Sequence, residues 1–171
     1  MHVSHLHTYT SRVAWSGSTA EGYAGYDRRH AGEMPSGGLV LPLSGDAAFG
    51  GDAAVPNPEQ LLVLAAASCQ LLSFLAVAAR ARIEVLHYSD DASGEMPDSR
   101  APVGLTTIQL HPRITVVERV VGRDTEVTEE RVRHLCEVAH RECYVANSLR
   151  TEVDVAPVIT LVPRRRDTFR P

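Results

Sequence analysis

Three cysteines, eight histidines and a set of basic residues that are all arginine are the groups through which this chain could do chemistry. The sulfurs come first, because a thiolate attacks electrophiles and can be oxidised reversibly. Cys69 lies in the middle of an apolar run, NPEQLLVLAAASCQLLSFLAVAAR, residues 57–80. The plain reading of such a cysteine is a small hydrophobe packed in a core. Two features argue for more. Its neighbours Ser68, Gln70 and Ser73 are polar in an otherwise apolar segment, and a second segment carries Cys143 on its apolar stripe. Two buried helices that each turn a cysteine inward bring sulfurs into disulfide range when they pack side by side. Cys136, His140 and Cys143 fall at i, i+4 and i+7, so on one helix the imidazole of His140 would neighbour the Cys143 thiol. The plain reading of His140 is a satisfied core histidine. The same three residues could instead hold zinc, although no fourth ligand lies close and no finger or knuckle spacing is present. Arg28 and Arg29, in YDRRH, are permanent cations able to stabilise a thiolate, with a solvated surface pair as the plain alternative. Glu59 is accounted for by the positive end of a helix dipole alone.

The elements that must hold these groups follow from pattern. Residues 8–16 and 22–29 read as two strands joined by a Gly/Ser/Thr turn, and GGLVLPLS (37–44) as a third that Pro42 confines to an edge. A Gly/Ala/Asp loop spans 45–56. Asn57 then caps a helix, with Pro58 in its first position and Glu59 in its first turn, ending near Arg80 or Arg82. IEVLHYSDDASGEM reads as a strand, 97–104 as a Pro/Gly loop, and LTTIQLHPRITVVERVV as β-rich, alternating from Leu105 to Val117. Thr128 caps a second helix, with Val132, Leu135, Cys136, Ala139 and Cys143 on one stripe. A last strand, TEVDVAPVITLV, precedes the tail PRRRDTFRP (163–171), which is expected to be disordered and solvated. The order βββ–α–ββ–α–β predicts an α+β fold, a single domain over 1–171 with its core at about 9–162. A first helix apolar all round must be covered on every side, more than so few strands supply, so a partner subunit is expected.

Composition limits the rest. The chain has 171 residues, 44% hydrophobic and 22% charged, with a net charge of -4, and carries no basic footprint for nucleic acid. No lysine is present to act as a base or Schiff-base former. Three cysteines without a CxxC are too few for a disulfide scaffold, and no secretory or lipidation motif is seen, so a cytoplasmic location is expected. Alanines, serines, Cys69 and Gln70 dilute residues 61–79 below a membrane span, and no aromatic or basic belt flanks them on both sides.

NPEQLLVLAAASC, taken together with the later CYVANSL, resembles the OsmC/Ohr family of osmotically inducible and organic hydroperoxide resistance proteins. YDRRH is similar to the Tyr-x-Arg-x-His of one branch, and the GDAAFGGD loop fits as well. The likeness runs from about residue 9 to 162. It implies two long central helices wrapped by antiparallel sheets in an intertwined homodimer. It also implies thiol-dependent reduction of organic hydroperoxides. By motif position Cys69 matches the peroxide-attacking cysteine, Cys143 the resolving one, Glu59 the acid and Arg28 the arginine. An external dithiol, of dihydrolipoyl type, would reduce the product disulfide, and no metal, haem or flavin is implied. Leu71, Leu72 and Phe74 are expected as apolar walls. Glu59 and Cys69 are separated by about 15 Å of helix, so Glu59 would serve the partner subunit's Cys69 across antiparallel helices. The chain departs from the pattern in three places. Gln70 stands where the branch has histidine, Cys136 is an additional thiol that could resolve or simply pack, and Arg29 could replace Arg28. The alternative in another class is a dimeric module that binds an apolar or acyl ligand in the same cleft without catalysis.

Overall fold

The computed structural model describes residues 6–99, 101–118 and 126–164. The expected disorder of 163–171 falls, beyond Arg164, outside these residues. The chain forms two compact units, Met1–Leu61 and Leu62–Pro171. No linker composition marks the boundary because it falls inside a helix.

In the first unit, β1 (Arg12–Ala14), β2 (His30–Met34) and β3 (Leu39–Leu43) form an antiparallel sheet in that order. The register sets Val13 against Gly32 and Gly32 against Leu41. Gly32 has a packing reason, since a Cβ there would meet Leu43 Cδ1 at 2.8 Å. Residues 22–29, expected to be a strand, are not one. Gly22 adopts φ 78, and the Gly22 and Gly25 amides bond back to Thr19 and Gly22, winding the chain into turns. Arg28 then takes the carbonyls of Tyr23 and Tyr26 with its guanidinium, so those acceptors are used inside the loop and not in a ladder.

The loop before the helix is closed by its own polar groups. Asp46 Oδ1 accepts from the Ala48 amide at 2.7 Å and Oδ2 from Asn57 Nδ2 at 3.1 Å. The start of α1 (Pro58–Arg80) is capped by Asn57 as expected, and the cap is reciprocal through Gln60. The Gln60 amide donates to Asn57 Oδ1 at 2.8 Å, and the Asn57 amide to Gln60 Oε1 at 3.0 Å.

In the second unit, each of the three long strands read from sequence is broken into two. The pieces are β4 (Val85–Asp90) and β5 (Ser93–Glu95), β6 (Thr107–Leu110) and β7 (Pro112–Glu118), β8 (Glu152–Val155) and β9 (Val158–Pro163). One piece of each joins a sheet ordered β4-β7-β9 and the other a sheet ordered β5-β6-β8. The breaks line up at 91–92, at His111 and at Ala156–Pro157. Hydrogen bonding carries across the corner, with the Ala156 amide on Leu110 O at 2.9 Å and the His111 amide on Asp90 Oδ1 at 2.7 Å. Pro112 and Pro157 lack the amide that an unbroken ladder would use at that level. Each sheet adds a parallel pair, β6–β8 or β7–β9, to an antiparallel one, so the helical segment between β7 and β8 is a crossover.

That segment is not one helix. Thr128 caps α2 (Glu129–Arg141) through the Arg131 amide, as expected, but α2 stops before Cys143. A five-residue helix follows, α3 (Tyr144–Ser148), with Cys143 at its N-cap position. The unit has two cores. Phe74, Val77 and Ala78 of α1 pack with Val132, Cys136 and Ala139 of α2 and with Ile114, Val116 and Ile159 of the first sheet. Ala66, with Val63 and Ala67 beside it, packs with Ile108 and Leu110 of the second sheet and with Val145 and Leu149 around α3. α1 is therefore buried along one face. Leu64 and Leu72, at 63% and 64% exposure, lie with Ala65, Ser68, Leu75, Ala76 and Ala79 on the open face. Among the described residues α1 alone is long and apolar enough to cross a membrane.

Candidate active site

Cys69 and Cys143 come together in the second unit. Cys69 is half-buried on α1, while Cys143 is 1% exposed where α2 has ended and α3 begins. The two thiols are neighbours, and the Val145 amide points at Cys69 Sγ at 3.5 Å. The free start of α3 thus supplies a donor to one sulfur and carries the other. Burial pushes the Cys143 thiol up to about 11; the Ala146 amide opposes that rise and the adjacent Cys69 adds to it. All three cysteines are free.

Cys136 is 2% exposed and faces the core. Its thiol is pushed up to about 12 by burial, with Arg133 opposing, so it remains protonated through the neutral range. Its carbonyl, however, accepts from Gln70 Nε2 at 3.2 Å. The residue after Cys69 is therefore tied to α2. Between His140 and Cys143 the chain turns at Glu142, the Cys143 amide donates to His140 O at 3.1 Å, and His140 Nδ1 is buried without a partner. The same turn removes the i, i+4, i+7 basis for a zinc set, and no group of three candidate metal ligands occurs among the described residues. Gln70 Oε1, Tyr88 OH and Asp90 Oδ2 are also buried without partners. Tyr88 stacks on Phe74 at 5.9 Å, and burial, aided by Asp90 and the two thiols of α2 and α3, drives its hydroxyl far above its ordinary range.

Arg28 and Glu59 belong to the first unit, where both line a cavity of about 630 Å³. Val13, Trp15, Phe49 and Pro58 form apolar walls, and His30 adds an imidazole. Of the residues expected as walls, Phe74 is fully buried in the core of the second unit, Leu71 is half-buried and Leu72 is on the open face of α1. Arg28 and Glu59 make no ion pair. The guanidinium is held instead by the carbonyls of Tyr26 (3.1 Å) and Tyr23 (2.7 Å) and lies 4.3 and 4.6 Å from the centres of those residues' rings. Tyr26 in turn meets Trp15 edge-on at 6.3 Å, and Trp15 Nε1 donates to Asp27 O at 2.7 Å. Arg29 pairs with Asp52, so it is committed to the loop and does not line this cavity. The Ala54 amide and Arg29 together hold the Asp52 carboxyl below its ordinary range. Trp15, Tyr23 and Phe49 were not singled out from sequence, whereas His30 is the last residue of YDRRH. The one signal was the tryptophan, unique in the chain, close in sequence to YDRRH.

On this α+β frame the long helix α1 bears the half-buried Cys69, and the crossover bears the buried Cys143 beside it. The chain belongs to the OsmC-like protein family, whose model matches residues 50–157. A search among curated proteins finds no match. Among solved structures, an OsmC-like protein of unknown function from Vibrio cholerae O1 biovar eltor is similar over 90% of this chain and 100% of its own, at 26% identity and a TM-score of 0.76. An organic hydroperoxide resistance protein OsmC from Legionella pneumophila matches at 22% identity over 92% of this chain and 99% of its own, with a TM-score of 0.67. An organic hydroperoxide resistance protein from Elizabethkingia anophelis, with thiocyanate bound, matches at 20% identity over 94% and 100%, with a TM-score of 0.68. The α+β architecture read from sequence is that of these proteins.

Proposed function

We propose that this protein is a thiol-dependent peroxidase that reduces organic hydroperoxides to alcohols. The observation that carries the reading is the contact between the Cys69 and Cys143 thiols. Cys69, the more exposed of the two, is the sulfur that a substrate can reach. Its thiolate attacks the outer peroxide oxygen, the O–O bond breaks, and the alkoxide leaves as the alcohol after protonation. Cys143 attacks the resulting sulfenic acid, and the Cys69–Cys143 disulfide forms with loss of water. An external dithiol, of dihydrolipoyl type, returns both thiols to the reduced state by exchange. Cys143 is taken as the resolving thiol in this scheme because it is the one that lies beside Cys69, while Cys136 packs in the core.

The family and the names of the Legionella and Elizabethkingia proteins support a role in peroxide detoxification. Arg28 and Glu59 are the charged groups of the peroxide site in this reading, with Arg28 the cation that favours a thiolate and polarises the peroxide. Apolar walls around them suit an alkyl or lipid peroxide better than hydrogen peroxide. The working form is a homodimer, for which the open apolar face of α1 is the contact surface, and it acts in the cytoplasm.

Thiol titration before and after cumene hydroperoxide tests the reading. Loss of two thiols per chain, abolished by Cys69→Ser, is expected. Unchanged thiols would instead make the cavity of the first unit a binding site for an apolar or acyl ligand.

A further inference from the structure

We propose that Gln70 is a positioning residue that sets the approach of Cys143 to Cys69, an inference that rests on the peroxidase reading above. Gln70 follows Cys69 in α1 and is 1% exposed. Its Nε2 donates to the carbonyl of Cys136 at 3.2 Å. Cys136 lies inside α2, so that carbonyl already belongs to the helix ladder, and Gln70 occupies its second lone pair. The bond is therefore not needed to form α2. Its effect is to fix α2 against α1, one residue beyond the first thiol and two turns before the second. Another side-chain tie, between Arg80 of α1 and Glu142 at the end of α2, is exposed and open to screening by salt.

Folding alone gives no reason for an amide here. Phe74, one turn on, is completely buried among apolar neighbours, and a leucine at position 70 would fill the same space without burying a polar group. Gln70 leaves Oε1 without a partner, which costs stability. The amide is neutral, so it adds no net charge beside either sulfur. What remains is geometry. Closure of the disulfide needs the Cys143 sulfur on the line of the S–O bond it breaks. The Cys143 S–H attacks the Cys69 S–OH, the S–S bond forms as the S–O bond breaks, and the departing hydroxide takes the Cys143 proton as water. The peroxide has already accepted the two electrons. A shift of α2 along α1 would misplace the attacking sulfur, whereas the first step, at Cys69 alone, would not feel it.

The test uses Gln70→Leu, which keeps apolar volume and removes the donor, and Gln70→His, which keeps a ring N–H. Gln70→Met serves as a second donor-free variant if the leucine protein does not fold. Each reduced protein is equilibrated with glutathione buffers and its Cys69–Cys143 disulfide is quantified, which gives the effective concentration of the pair without any peroxide. Single-turnover oxidation by cumene hydroperoxide, with dimedone trapping of the sulfenic acid, then separates the first step from closure. The donor-free variant is expected to lower the effective concentration and slow closure by about tenfold, the scale of one buried hydrogen bond. Trapped sulfenic acid rises, the first step stays within about twofold, and the histidine variant recovers most of the loss. An unchanged effective concentration, equal slowing of both steps, or a histidine variant as impaired as the leucine one would overturn the proposal. A wild-type protein that forms the disulfide with glutathione yet ignores the peroxide would overturn the peroxidase reading, and the glutathione comparison would still decide the role of Gln70.

Discussion

The two units place their reactive groups by opposite means. In the first, Arg28 sits on an irregular loop and is fixed by two backbone carbonyls and two aromatic rings. In the second, Cys69 is set by a long regular helix and Cys143 by the place where another helix is interrupted. The cation owes its position to polar contacts that water can compete with. The thiols owe theirs to packed cores that water does not enter. Changes of the same size should therefore act differently in the two units. In the first they should shift reactivity and leave folding almost intact; in the second they should alter both.

The largest expected effect is at the exposed thiol. Cys69→Ser should abolish peroxide consumption, measured as residual cumene hydroperoxide, and lower the thermal midpoint. Cys143→Ser should permit one oxidation and then stop, giving a trapped sulfenic acid and no intramolecular disulfide on mass analysis. In the first unit, Arg28→Gln should slow the first oxidation by about a hundredfold, the usual size for losing one positioned charge, while the far-ultraviolet circular dichroism stays unchanged.

A subtler separation comes from pH. Burial raises the Cys136 thiol from 9.0 to about 12 and the Cys143 thiol from 9.0 to about 11. The folded form thus binds these protons more tightly than the unfolded form. The stability they support is full below pH 9 and is lost as pH rises toward 11 and 12. Urea midpoints should fall across that window, and Cys136→Ala should flatten the fall. The smallest effect is expected at Asp52, whose carboxyl is held low by the Ala54 amide and by Arg29. Its contribution is present above the ordinary carboxylate range and fades as pH drops through the lowered value. Asp52→Asn should remove a slight, salt-sensitive loss of thermal midpoint in acid. A large change there would mean that the first unit is held by charge more than its exposed ion pair suggests.

Much of this arrangement can be read from residue types. The Asn57 cap and the start of α1 at Pro58 follow from local rules, because a helix N-terminus is decided by the few residues that satisfy its free amides, and α1 ends at Arg80, one of the two positions expected. The stripe that carries Val132, Cys136 and Ala139 inward was legible too, although Cys143, expected on it, lies past the end of α2. The end of α2 was not. Residues 141–144 contain no proline or glycine, and their apolar spacing continues, so nothing local announces the turn at Glu142. The sheet corner was hidden for a related reason. Alternation is the same on both sides of His111, and only the pairing of three strands at one level reveals the break. Residues 22–29 misled because their aromatic content suits a strand, whereas Tyr23 and Tyr26 spend their rings and carbonyls on Arg28.

α3 has five residues, too few to persist as a helix by itself, and it keeps its shape because Val145 and Leu149 rest on the second core. The buried sulfur is thus mounted on the least self-sufficient piece of the second unit. Turning it toward a partner, or toward an incoming reductant, requires the loosening of one short coil, while the long helices and both sheets keep their places.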